Sequence, residues 1–422
     1  MKSHTICLVS GSHVCTNPRL VKEAHTLHDA GYHVHVIAGR YHSPYDDRDQ
    51  EILAQVQWKY TLVSYGGWLR GLTQKITRKV ARGLMGIFPS SPMAIAARAH
   101  HAASAQIANV AESIPADLYI GHTLVGLYAA SAAARSNGAK LGFDAEDFHS
   151  QETEFAITDR AERHAIRRLE SGTLPKCQYL TAASPLIAQA YCETYSLALP
   201  ITIQNTFPLS EAAAKSSATQ TIHSPARIYW FSQTIGAGRG LEQLIRILSE
   251  IAKPIELNLR GRVSQSSYPE SLRKFATQVG FSGKISILPT APASEMARLA
   301  AEHDFGVASE ISTPPNRDIC LTNKIYTYLL AGLPILCTPT TAQKQLASEL
   351  GSAVRFIELN DPKSSARIIE EWITDKGTYT DARGHAWKLG QTRFNWDTES
   401  KQLRVAIDKC LGTPGIYHSP SK

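Results

Sequence analysis

Short runs of apolar residues recur along the chain, separated by longer segments in which apolar positions return every three or four residues. Runs of the first kind pack as buried strands, and segments of the second kind pack as amphipathic helices. In the first half HTICLVS, HVHVIAG, KYTLVS, DLYIGH, KLGFDAE, QYLTAAS and PITIQN predict seven strands; in the second, ARIYWFS, PIELNLRG, KISILP, DFGVAS, PILCT and AVRFIE predict six more. Regular alternation of such strands with helices of about 10 to 20 residues is the signature of βα units and parallel sheet. A chain of 422 residues also exceeds what one hydrophobic core serves. The expected fold is therefore α/β, with two doubly wound Rossmann-like domains facing each other across a cleft. The small, polar, proline-terminated stretch 210–226 is read as the linker between a domain at 1–209 and one at 227–390. Residues 391–422 are expected to form a C-terminal helix and tail that return to the first domain.

The charge balance is local. The net charge is +7. Between Glu51 and Glu112 there is no acidic residue, whereas Lys59, Arg70, Lys75, Arg78, Lys79, Arg82 and Arg98 lie there, so the rest of the chain is neutral. Within this stretch Leu69, Leu72, Ile76, Val80, Leu84 and Ile87 recur at helical spacing. Two readings follow: a helix that covers the sheet with this stripe and leaves a solvated basic edge, or a helix that lies on an anionic membrane surface through residues 68–88. No nucleic-acid-binding signature is present, and no nucleic-acid partner is expected. No apolar run reaches the roughly 18 residues needed to span a bilayer. The opening MKSHTICLVSGSH meets glycine and histidine before a signal-peptide core could form, and is read as the first strand. Seven scattered cysteines without a CxxC pair argue against a disulfide framework or zinc knuckle, and a cytoplasmic setting is expected.

In parallel sheets, ligands gather beyond the carboxyl ends of the strands. After the first predicted strand, Gly11 and Ser12 would let backbone approach a ligand or would simply form a tight turn, and Asn17 with Pro18 would open a helix. Gly121 and His122 end another strand, where the imidazole could orient or deprotonate a hydroxyl, or cap the next helix. Asp144, Glu146, Asp147 and Glu152 crowd a third exit, as an acceptor site or a solvated acidic loop. In the second half TIGAGRGLEQLI places Arg239 and Gly240 before a helix whose amino-terminal amides suit a diphosphate. Arg260 follows another strand; Glu310 leaves the next; Asn323 and Lys324 open a helix that closes at Gly332. Asp47 and Asp49 form a DxD string in a polar loop, and His33 and His35 share a strand face without a third ligand, so neither predicts a metal site. Trp230 and Phe231 read as packing rather than base stacking.

Taken in order, NPRLVKEAHTLHDAGYHVHVIAG, GHTL, FDAED, AGRGLEQLI, ASE, TNKIYTYLLAGLPIL and FNWDTESKQLRVAIDKC resemble the GT-B glycosyltransferases, specifically the retaining group called family 4. The resemblance implies an acceptor-binding first domain, a second domain that binds a nucleotide-diphosphate sugar, and transfer between them. It makes His122 and Glu310 the catalytic pair. Gly11, Ser12, Arg239, Gly240, Arg260, Asn323, Lys324 and Thr327 fall on the donor side, and Asp144 and Glu146 on the acceptor side. One departure is clear: Thr327 stands where the family has a second glutamate for the nucleotide ribose, and Asp318 is too deep in its loop to be the first choice as its replacement. The resemblance implies no resident cofactor and no metal. A UDP-sugar ahead of a GDP-sugar is the co-substrate, and a glycan, lipid-linked or small-molecule acceptor is its partner. A lipid-linked acceptor would place the protein at the inner face of the plasma membrane, in polysaccharide biosynthesis. The alternatives are a non-catalytic nucleotide-sugar- and membrane-binding protein on this fold and a nucleotide-sugar epimerase.

Overall fold

The computed structural model describes residues 4–65, 68–214 and 220–412. All thirteen strands expected from the apolar runs are present. In the first sheet they are β1 (Thr5–Ser10), β2 (His33–Arg40), β3 (Lys59–Ser64), β4 (Leu118–His122), β5 (Lys140–Ala145), β6 (Tyr179–Ala182) and β7 (Ile201–Thr202), in spatial order β3-β2-β1-β4-β5-β6-β7. The second sheet comprises β8 (Ala226–Ile235), β9 (Ile255–Val263), β10 (Lys284–Leu288), β11 (Phe305–Ala308), β12 (Ile335–Cys337) and β13 (Val354–Phe356), in order β10-β9-β8-β11-β12-β13. Every pairing is parallel. Helices on both faces bury the central strands, which is why Ile6–Val9 and Phe305–Ala308 are continuous apolar runs rather than alternating ones.

The chain divides into two compact units, Met1–Ile203 with Ser400–Lys422, and Gln204–Glu399. The stretch expected as a linker falls inside the second unit, apart from 215–219, which lie outside the described residues. The physical reason is local. Ala213 is buried and its N–H donates to the Leu330 carbonyl, while the fully buried Asp304 accepts from the backbone of His223 and Arg227. Within the stretch, the backbone N–H groups of Ala213 and His223 are thus held by partners distant in sequence. At the other end the chain enters the first unit at Ser400, within the helix Trp396–Leu411, where Asp408 accepts from Tyr32 and the Cys410 carbonyl from Lys140. The expected tail 413–422 lies outside the described residues.

The core of the first unit runs from Cys7, Val9 and Ile37 through Tyr119 to Ala129, Ala130 and Ala133 of the helix Thr123–Asn137. That of the second gathers Ile228, Leu244, Ile245, Leu257, Phe305 and Trp372. Trp372, on the helix Pro362–Thr374, stacks on Phe305 with ring centroids 5.8 Å apart, while Arg355 covers an indole face at 5.0 Å. Truncating this side chain to alanine removes all of those contacts and leaves a cavity. Trp372→Ala is expected to destabilise the second unit by about 4 kcal/mol, and Trp372→Phe, which keeps the stack, by about 1 kcal/mol. Urea unfolding followed by circular dichroism measures both; equal losses for the two variants would contradict the packing account.

Candidate functional site

The first unit concentrates charge where its central strands end. Ser10, His122, Asp144 and Thr181 lie in one register row across β1, β4, β5 and β6. Aligned residues of parallel strands share a face, so these side chains meet the helix that covers it. That helix is Pro18–Asp29, capped by Asn17, whose side chain accepts from the Leu20 N–H, with Pro18 in the first turn as expected. It delivers Arg19 and Glu23. Arg19 donates through Nε and Nη2 to the two oxygens of Asp144 at 2.5 and 2.7 Å, and through Nη1 to the Ile203 carbonyl at 2.6 Å. Thr181 Oγ1 donates to Asp144 at 2.6 Å. His122 Nε2 lies 2.8 Å from Glu23 Oε2, and Nδ1 lies 3.5 Å from Asp144 and 3.8 Å from Glu146. Neither ring nitrogen aligns as a directed hydrogen bond, so these contacts are ionic.

His122, Arg19, Glu23 and Asp144 are all buried, and their two cations balance their two anions. Burial disfavours the imidazolium, but Glu146, Glu23 and Asp144 outweigh it and raise the His122 pKa to about 10. Burial likewise opposes ionisation of Asp144, yet Arg19 and His122 hold its pKa down to about 2. The His122 ring lies inside, and Glu146, a quarter exposed, is the member of the cluster that reaches solvent. Thr123, the next residue, has φ of 64°, a left-handed conformation that β-branched residues avoid, and its buried Oγ1 has no partner. At Gly11 a Cβ would come within 2.9 Å of Val125 Cβ, so packing alone calls for glycine there. Ser12 is half-buried, and its backbone joins Ser10 Oγ and Gly39 N.

In the second unit Glu310 follows β11, and its carboxylate accepts from Lys324 Nζ at 2.6 Å and from Thr322 Oγ1 at 3.1 Å. Thr338, after the neighbouring β12, donates to the Glu310 carbonyl at 2.5 Å and fixes the backbone. Burial pushes the Glu310 carboxyl up, but Lys324, Thr322 and Arg239 overcome this and keep it below its ordinary value. Lys324 stands in the first turn of the helix Asn323–Ala331, with its ammonium 5.6 Å from the Trp230 ring centre. Asn323, half-buried, begins that helix, and Gly332 ends it with φ of 69°, as expected. Arg239 is half-buried in the glycine loop, and its carbonyl accepts from Ser309 Oγ at 3.4 Å. Gly240 caps the helix Leu241–Ser249 at φ of 74°, a value that suits glycine and lets the loop pass close to Ser309. Glu310, Lys324, Arg239 and Gly240 therefore converge beside one helix amino terminus.

The remaining polar residues singled out in this half have the following partners. The guanidinium of Arg260 is committed to the Tyr229 hydroxyl and the Pro289 carbonyl, both at 2.8 Å. Thr327, one turn beyond Lys324, is buried with Oγ1 unpartnered. Asp318 bonds the backbone and hydroxyl of Thr341 and is a loop tie. Trp230 is core. Among the described residues two groups carry ligand atoms within 4.8 Å of one another, His13 with Asp46 and Asp49, and Glu23 with His122 and Asp144. Protein groups fill the first; in the second, Arg19 holds Asp144 while His122 faces its carboxylates without a directed hydrogen bond. His13 Nε2 accepts the N–H groups of Tyr41 and His42, so Nδ1 donates to Asp49, and Asp46 pairs with Arg40. His35 bonds Thr61. Arg19 and Glu23 escaped the sequence reading, although a signal existed: Glu23 sits on the apolar face between Leu20 and Leu27, where a charge needs a buried partner.

No model of a known protein family matches the chain, and no curated protein does. Solved structures do. The Anabaena protein Alr3699/HepE in complex with UDP and glucose superposes with a TM-score of 0.70 at 15% identity, covering 96% of this chain and 100% of that one. Sucrose-phosphate synthase from Thermosynechococcus elongatus gives 0.68 at 12% identity, over 97% and 100%. The chain has the GT-B fold. A putative UDP-N-acetylglucosamine 2-epimerase from Listeria monocytogenes shares it less closely, with a TM-score of 0.55 at 11% identity over 99% and 100%. In GT-B terms, the carboxyl ends of both parallel sheets carry the charged groups described above.

Two outcomes test the electrostatics. Lys324→Met strands the Glu310 carboxylate and is expected to destabilise the second unit by about 3 kcal/mol, while adding Glu310→Gln recovers about half; a double-mutant cycle by urea unfolding reads the coupling. Because the folded His122 pKa is raised from 6.5 to about 10, its stabilisation is complete below pH 6.5 and is lost as pH rises toward 10. His122→Gln should flatten the stability profile of the first unit in that window, and NMR should find the wild-type ring protonated at pH 8. A neutral ring at that pH would refute the assignment.

Proposed function

We propose that the chain is a glycosyltransferase that moves a sugar from a nucleotide-diphosphate sugar, a UDP-sugar ahead of a GDP-sugar, to a glycan, lipid-linked or small-molecule acceptor. The carrying observation is the ionised, nearly buried Glu310 held by Lys324 beside Arg239 and the amino terminus of Leu241–Ser249. As the bond from the sugar's anomeric carbon to the diphosphate breaks, negative charge grows on the leaving oxygen. Arg239, Lys324 and the free helix amides supply positive potential for it, and Glu310 accepts hydrogen bonds from the donor sugar. The acceptor hydroxyl forms the new bond to the anomeric carbon and passes its proton to the departing diphosphate oxygen. Glu146 takes part in acceptor binding, and the His122 imidazolium positions it with Asp144. Retention of configuration follows the resemblance to family 4.

Thr327 supplies a hydroxyl where a carboxylate would hold the ribose, so this reading puts more of the donor affinity on Arg239 and Lys324. Seven scattered cysteines without a CxxC pair favour a cytoplasmic reaction, at the inner membrane face for a lipid-linked acceptor. Epimerisation of a nucleotide-sugar is the second reading, favoured by the likeness to the Listeria protein; product analysis without added acceptor separates the two.

Titration calorimetry with UDP, GDP and ADP tests the donor site. At least one should bind, and Arg239→Ala should weaken it by roughly 10- to 150-fold, the loss of one charge-assisted hydrogen bond. Unchanged affinity, or no binding by any of the three, would overturn the assignment. With basic side chains and amides facing the diphosphate, transfer is expected to survive chelation; loss with chelator and recovery with magnesium would count against it.

A further inference from the structure

The helix Trp68–Ile87 packs by the face opposite to its predicted apolar stripe. Ala81 and Met85 are buried, His164 Nδ1 bonds the Met85 carbonyl at 2.9 Å, and Arg78 Nε donates to the Ala99 carbonyl at 3.2 Å. Arg82 turns the same way, 2.8 Å from both Glu162 and Asp159. The stripe itself faces solvent. Ile76, Val80, Leu84, Ile87 and the adjoining Phe88 are between 38% and 68% exposed, and they make up five of the eleven large exposed apolar residues described. The side chains of Leu69 and Leu72 lie outside the described residues. Lys75 and Lys79 flank the stripe, both exposed, and neither is in an ion pair among the described residues.

We infer that this face docks on an anionic lipid bilayer, with the apolar stripe in the headgroup boundary and Lys75 and Lys79 on lipid phosphates. The basic residues divide between two roles, since Arg78 and Arg82 hold the helix to the fold while the lysines remain for the surface. An exposed apolar row beside unpaired lysines, with no carboxylate between Glu51 and Glu112, matches an anionic interface in both respects. A second copy is the poorer occupant, because two-fold pairing through this face brings lysines together with no carboxylate on the helix to answer them. No described helix is long and apolar enough to cross a membrane.

Flotation of the full chain with vesicles of phosphatidylcholine alone, or with added phosphatidylglycerol, provides the test. Wild type should float with the anionic vesicles only, less at high salt. Lys75→Glu with Lys79→Glu should weaken binding by about 30-fold or more, taking each lysine's usual contribution near a charged surface. Val80→Asp with Leu84→Asp should abolish it, with unchanged melting temperature because both residues are exposed. Equal recovery with both vesicle types, no binding at low salt, or variants that bind like wild type would overturn the inference. So would a wild-type dimer that Leu84→Asp dissociates, which assigns the face to a second copy. Nucleotide binding is measured separately, so failure here leaves the donor reading untouched.

Discussion

A carboxylate buried at the end of a parallel strand stays ionised only when a cation is fixed against it, and each unit is organised round one such pair. In the first, Arg19 grips Asp144 through two nitrogens while a strand, a helix and the Ile203 carbonyl hold the pair in place. In the second, Lys324 meets Glu310 across the junction of a strand end and a helix start. Desolvation makes an unpaired charge at either position untenable, so the pair constrains the loops around it. The consequence differs between the units. The first closes the charges of this pair inward, with Glu146 beside them reaching solvent, whereas the second leaves Arg239 and a helix amino terminus beside its pair.

That difference explains how much of the candidate site could be read from the residues alone. Glu310, Asn323 and Lys324 are set by local rules, since a polar residue just after an apolar run and a helix opening just before one occupy strand ends wherever the sheet lies. Arg260 obeys the same rule, but its bonds to Tyr229 and Pro289 were not legible, because they depend on the register of β8, β9 and β10. His122 shows the same limit: its place at a strand end was legible, but the row it shares with Asp144 and Thr181, and the helix that brings Glu23, come from pairings more than twenty residues away.

The helix Trp68–Ile87 shows the limit from the other side. Periodicity locates an apolar stripe but says nothing of what covers it. Here Ala81, Met85 and the arginine pairs with Glu162 and Asp159 form the packed face, and the more apolar face is left outward. Strands were legible because burial on both faces leaves continuous apolar runs. The contacts that hold Ala213 to Leu330 and His223 to Asp304 were not legible, because the partners lie about a hundred residues away in sequence.

A nucleotide diphosphate held in the second unit at the Arg239 loop and the Glu310–Lys324 pair should shield the backbone that it touches. Hydrogen-exchange mass spectrometry of the full chain with and without UDP tests this most directly. Protection confined to the amides of 236–242, 309–312 and 322–328 is the expected result. Protection elsewhere with none in these segments, at UDP concentrations where calorimetry shows binding, would contradict it.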